Sequence, residues 1–156
     1  MRHAVVLVVA FACIPSQGAA FQARSGGAAG PSVRACAVLT RDLVAPFTEN
    51  KSILDLIPPE EEVLTAGTAC EHGSVRLQLF PGRGGRRTVS GAEFQPVTGA
   101  GDGGLFRSNR NRYAELTVWT AKHSLDLQVS VPSGRTAEAI KPDVIKLANA
   151  ILAKLP

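Results

Sequence analysis

Side chains suited to chemistry are sparse in this chain, and the densest group lies between Pro96 and Val131. It begins with Gly99-Ala-Gly-Asp-Gly-Gly104, a formal match to the dinucleotide fingerprint G-x-G-x-x-G. That fingerprint needs a strand before it and a helix N-terminus after it to hold a pyrophosphate. Here Pro96-Val-Thr precedes it, and a basic segment and a strand pattern follow, so the context fails and a tight turn is expected instead. Glycine permits positive φ, and Asp102 can accept hydrogen bonds from nearby backbone N–H groups. Acid–base chemistry would require Asp102 and His123 to converge within hydrogen-bond reach. No Ser-His-Asp or Cys-His set is readable, and His72 and His123 are both expected at the surface. Glu60-Glu61-Glu62 reads as a solvated acidic cap opening a helical turn, since consecutive residues do not converge on one point. No catalytic residue, metal-ligand set or cofactor is expected.

Two arginine groups remain. Arg83, Arg86 and Arg87 lie in Pro81–Arg87, a glycine-rich loop without interleaved aromatics, which argues against nucleic-acid binding. Arg107, Arg110 and Arg112 lie in Leu105–Arg112, where Asn109 and Asn111 suit a turn, so a hairpin loop is expected there. The chain's single Tyr and single Trp follow directly, Tyr113 and Trp119, on one face of an alternating strand and about 20 Å apart. With the arginines they form the candidate binding surface. The competing role for both rings is packing against a helix or a neighbouring strand.

The elements that must position these residues follow from hydrophobic periodicity. Thr40 caps a short helix carrying Leu43, Val44 and Phe47, which Pro46 shortens. Ser52–Ile57 is a second amphipathic turn, stopped by Pro58-Pro59. Val75–Phe80 alternates cleanly as a half-buried strand, and Thr88–Phe94 supplies a weaker one. Tyr113–Thr120 and Ser124–Val131 form a hairpin around Ala121-Lys122-His123, with one face apolar and the other polar. Ile140, Val144, Leu147, Ala148, Ile151 and Leu155 form the apolar stripe of a final helix. That helix begins either at Pro142 or, with Pro142 inside it, at Thr136. Together these elements predict an α+β fold: a two-layer sandwich with an N-terminal helical segment, an antiparallel sheet of about four or five strands and a C-terminal helix.

The N-terminus reads as an export signal. Arg2 and His3 precede an uncharged run, Ala4–Ile14, too short to span a bilayer, and Gly18-Ala19-Ala20 offers small residues for cleavage after Ala20. Residues 1–20 are therefore taken as a signal peptide, 21–33 as a flexible linker rich in Gly, Ala and Ser, and 34–156 as one domain. Cys13 leaves with the signal and makes a poor lipidation site, because Phe11 stands where a small residue is needed. Cys36 and Cys70 remain, an even pair in an oxidising compartment, and a disulfide outweighs a metal site because only His72 lies close enough to add a ligand. Cleavage removes Arg2 alone among the charged residues and lowers the net charge from +4 to +3, a mild bias toward anionic envelope surfaces. No second apolar run is long enough to anchor the mature chain.

The order of features runs from a signal peptide through Cys36 before Leu39-Thr40, Cys70 before an alternating strand, Val97-Thr-Gly-Ala-Gly-Asp102 and Tyr113-Ala-Glu-Leu116 to a final leucine-rich helix. It resembles small exported bacterial proteins of unknown function, including Cys-paired lipoproteins of that kind, whose two-layer sandwich is similar to the PsbP and Mog1 type. The chain departs from the lipoproteins in lacking a lipobox and in placing Gly103-Gly104 after the Gly-Asp. The resemblance implies a fold and carries over no catalytic residues. Residues and resemblance together predict an exported, non-catalytic binding or accessory protein of the periplasm or exterior, whose partner is a protein or an anionic envelope component. The competing readings are a small periplasmic hydrolase or transferase and a secreted enzyme inhibitor.

Overall fold

A computed structural model describes residues 33–85, 93–110 and 112–156. The expected signal peptide, the linker as far as Ser32, Arg86, Arg87, Asn111 and most of the strand expected over Thr88–Phe94 lie outside the described residues. The elements run α1 (Ala35–Val38), α2 (Arg41–Val44), a 3-10 turn (Ala45–Phe47), α3 (Ile53–Leu56), β1 (Glu60–Leu64), β2 (Gly67–His72) and β3 (Val75–Pro81). A second 3-10 turn (Gly82–Gly85) is followed by β4 (Gln95–Val97), β5 (Gly103–Asn109), β6 (Tyr113–Trp119), β7 (His123–Ser130) and α4 (Ala137–Leu152). The fold is α+β. One seven-stranded sheet has the order β1-β2-β3-β7-β6-β5-β4, and each neighbouring pair is antiparallel.

The sheet is larger than the four or five strands expected. Glu60–Glu62 opens no helix; it is the start of β1, which pairs with β2 in register Glu60↔Glu71 through Leu64↔Gly67. A charged sequence is tolerated there because, among the described residues, β1 is an edge strand paired on one side only. β2 carries Thr68, Cys70 and His72 toward the core, so its inner face lacks the aliphatic pattern that marks a strand. β4 is only three residues and contains Pro96, as an edge position allows. The segment expected as a hairpin loop, Leu105–Arg112, is mostly strand: β5 runs to Asn109 and pairs Arg107 with Glu115, leaving the reversal to start at Arg110.

Across the middle of the sheet the register aligns Phe106, Leu116, Leu127, Leu77 and Cys70 in one row spanning five strands. All five are buried and belong to one core cluster with Ile140, Val144, Leu147 and Ile151 of α4 and Val44, Phe47 and Leu54 of the N-terminal segment. The helices therefore cover the face of the sheet that this row lines. Cys36 and Cys70 form a disulfide with Cα atoms 5.0 Å apart, tying α1 to β2. Thr68 reinforces that tie, since its Oγ1 accepts from the Ala35 N–H at 3.0 Å and donates to the Val33 carbonyl at 3.1 Å.

Two helix starts bear on the expectations. Thr40 occupies the N-cap of α2, but its hydroxyl makes no cap bond and instead accepts from Lys154 Nζ at 3.3 Å. α4 takes the earlier of its two possible starts: Thr136 Oγ1 accepts from the Ala139 N–H, and Pro142 lies inside the helix. A satisfied first turn and a continuous apolar stripe outweigh the single hydrogen bond that proline cannot donate.

His72 is not at the surface. It is 5% exposed on the inner face of β2, and among the described residues neither ring nitrogen has a hydrogen-bond partner. An unsatisfied buried polar group carries its desolvation cost without return, so His72→Leu is expected to leave stability unchanged or raise it by about 1 kcal/mol. A urea titration measures this, and a loss above about 1 kcal/mol would show that the imidazole holds a partner.

Candidate functional site

The face opposite the helices is polar and carries the sequence-predicted residues at its two ends. β6 presents Tyr113, Glu115, Thr117 and Trp119 there, alternating with buried Ala114, Leu116 and Val118. In the middle, side chains neutralise one another. Thr117 donates to Asp126 at 2.6 Å, Asn109 donates to Glu115 at 3.0 Å, and Arg107 is bonded to Glu115 through both Nε and Nη2. The Arg107 guanidinium also lies over the Phe94 ring, 4.8 Å from its centroid. Arg107 is thus a strand residue fixed by a carboxylate and a ring, rather than a loop cation.

Trp119 sits at the β5-start end of the sheet. A Cβ added to Gly103 would stand 2.7 Å from Trp119 Cζ2, so the indole lies over that glycine on the neighbouring strand. At Gly67 an added Cβ would first meet the Leu79 carbonyl oxygen at 2.1 Å and then the Phe80 ring at 3.0 Å. Ser124, aligned between Trp119 and Phe80, is buried with its hydroxyl unpartnered among the described residues. Glycine leaves the space these rings fill, and the rings cover backbone that glycine would otherwise expose. Trp119 is half-buried and braces β5.

The glycine-rich turn delivers the chain into this end. Gly99 and Gly101 have φ of 82° and 53°, in the region glycine favours, and a Cβ on Gly101 would meet the Trp119 carbonyl at 2.6 Å. The Asp102 N–H donates to the same carbonyl at 2.9 Å, and its carboxylate pairs with Arg83 at 3.4 Å. His123 turns to the helix side, its Nε2 lying 3.2 Å from the Pro156 carbonyl oxygen. Asp102 and His123 thus each engage a different partner, and no hydrogen bond or ion pair joins them among the described residues. Nor is any group of three or more His, Cys, Asp or Glu placed to hold a metal ion among those residues.

Tyr113 marks the opposite end. It is half-buried, paired across the ladders with Asn109 and Ser130, and adjoins the β5–β6 tip. At that tip Arg110 adopts φ 50° and Arg112 donates its N–H to the Asn109 carbonyl, a tight reversal that leaves both side chains exposed. Neither guanidinium has an ion pair among the described residues. The structure therefore brings Tyr113, Arg110 and Arg112 together, holds Arg107 along the strand and places Trp119 at the far end.

A cleft of about 440 Å³ lies at this same end of the sheet and was not legible in the sequence. Phe47, Ile53, Ile57 and Pro58 supply apolar wall, and Glu60 and Glu71 reach its rim. Its lining comes from three separate segments, residues 47–60, 71–74 and 130–132, and no local pattern signals that juxtaposition. Glu49 holds one wall by accepting the Ser133 N–H. That bond, chiefly the backbone N–H and then the Ser133 side chain, keeps the Glu49 carboxyl below the usual glutamate value of 4.5. A carboxylate lowered on folding contributes stability that is present above its unfolded pKa and lost as pH falls through its folded pKa. The Ser133 amide resonance is accordingly expected to titrate with a midpoint below 4.5; a midpoint at or above that value would show the clasp absent in solution.

Comparison with known proteins finds no matching family model, no similar curated protein and no similar solved structure. Among the described residues no helix is long and apolar enough to cross a membrane.

Proposed function

We propose that this chain is an exported, non-catalytic binding domain of the cell envelope, meeting an anionic partner through Arg110, Arg112 and Tyr113. The observation that carries this is the pair of exposed guanidinium groups without an ion pair among the described residues, set beside a half-buried ring on the helix-free face of the sheet. Elsewhere on that face cations are already matched: Arg107 by Glu115, and Arg76 by Glu62 and Glu71. Unmatched arginines beside an aromatic suit phosphate or carboxylate ligands, which the guanidinium fork binds in two-point fashion. A cysteine pair in disulfide geometry is compatible with the oxidising exterior that the N-terminal sequence suggests. The two-layer sandwich expected from the sequence belongs to the same proposal, supported by helices that share one face of the sheet.

The test is sedimentation with insoluble envelope material. The unaltered mature chain is expected to co-sediment at low salt and to be released as salt is raised. The Arg110→Ser/Arg112→Ser variant should bind at least about tenfold more weakly, while Arg83→Ser remains near the unaltered level. Equal binding by both variants would place the contact elsewhere.

A further inference from the structure

β1 is the outermost strand, and among the described residues only its β2 side is paired. The other side of a five-residue strand presents alternate backbone N–H and C=O groups to water, a template for one more strand. Large apolar side chains are exposed on it and just before it: Val63 is 85% exposed, Leu56 79% and Ile57 57%. Single exposed apolar residues need no explanation, but here Leu56 and Ile57 just before the free edge and Val63 near its far end leave apolar surface at both ends of it. The cleft opens next to the same edge, with Ile57 and Pro58 in its wall and Glu60 at its rim.

Charge selects the occupant. Glu60 and Glu62 point to the helix-free face, with Glu71 opposite Glu60, while Glu61 and Val63 point to the other face. Glu61 is paired with Arg34 and Glu62 with Arg76; Glu60 has no ion pair among the described residues. A second copy of β1 would bring like charges together and is disfavoured. A basic strand meets the opposite sign.

We propose that the free edge of β1 receives an extended basic segment of a partner protein as an eighth strand. Its alternate residues are Lys or Arg against Glu60 and Glu62, and the intervening ones are aliphatic and lie along Val63. Its end beyond Glu60 places an apolar side chain in the cleft. Backbone pairing supplies the affinity and the alternating side chains supply selectivity. This surface is distinct from the Arg110–Arg112 tip and attracts the opposite charge.

The test uses a fluorescently labelled, acetylated octapeptide of alternating Lys and Val, titrated into the mature chain and followed by anisotropy. Saturable binding is expected, with an alternating Glu-Val octapeptide at least about tenfold weaker. An added strand bonds along only one of its edges, so methylating alternate peptide nitrogens in one register should abolish binding and in the other leave it intact. Glu60→Gln/Glu62→Gln should weaken binding about tenfold, and Arg110→Ser/Arg112→Ser should leave it unchanged. Equal affinity for the Glu-Val peptide, equal sensitivity to methylation in both registers, or no binding at about 1 mM peptide would each overturn the proposal. The methylation series uses the unaltered protein, so the outcome does not depend on how the glutamine variant folds.

Discussion

Urea unfolding of the Cys36→Ala/Cys70→Ala variant is expected to show a loss of about 4 kcal/mol relative to the oxidised protein. The bridge closes a loop over a sequence separation of 34, and the chain-entropy relation for such a loop gives about 3.8 kcal/mol at room temperature. Strain in the folded state is not part of that figure. Alanine suits both positions because Cys70 is buried at the end of an apolar row, where a serine hydroxyl would lack a partner. The effect should be concentrated at the N-terminal end of the domain. α1 has four residues, too few to hold helical structure alone; besides the burial of Ala35 and Val38, its ties to the sheet are the bridge, the Thr68 hydrogen bonds and the Arg34–Glu61 ion pair at its N-cap. Amide exchange in α1 should therefore rise more than exchange in β6 or β7. A loss below about 1 kcal/mol, or free Cys36 and Cys70 thiols in protein purified under oxidising conditions, would contradict this account of the tether.

Phe106→Ala is expected to destabilise by about 3–5 kcal/mol. The ring is 0% exposed and stands opposite Leu116 at one end of the five-strand row, while the Lys141 ammonium lies 4.8 Å from its centroid. Truncation removes the buried area and leaves a cavity between β5 and α4 that a backbone fixed in a sheet cannot collapse to fill. Phe106→Leu retains much of the volume and should cost less than half as much. The comparison distinguishes packing from the cation–ring contact: if Lys141→Met costs as much as Phe106→Ala, the contact rather than the volume dominates.

The same residues show how far the sequence could be read. Strands with clean apolar alternation were legible: Val75–Phe80, Tyr113–Thr120 and Ser124–Val131 each match an observed strand to within one residue at either end. So was the Cys36–Cys70 pair, because setting Cys13 aside with the expected signal peptide leaves two cysteines and one pairing. Illegible strands were those whose burial is carried by other means. β2 buries Thr68, Cys70 and His72, and β1 is an acidic edge whose strand character comes from pairing with β2 rather than from its own residues. β5 was masked by its arginine, serine and asparagine, since Arg107 lies on the polar face with its charge met across the ladder by Glu115. For the candidate site, the hairpin tip and Tyr113 were visible as residue types. The separation of Arg107 from Arg110 and Arg112, and the cleft between segments far apart in the chain, depend on register and packing that local spacing does not encode.

The central claim is that an anionic partner is met at the β5–β6 tip. It is tested most directly by mapping amide shifts while a glycerol-phosphate oligomer is titrated into the mature chain. The predicted result is a saturable set of shifts confined to residues 109–113 and the facing end of β7, weakened by salt and absent in Arg110→Ser/Arg112→Ser. Shifts centred on Arg83 or on the cleft, or no shifts at low salt, would contradict it.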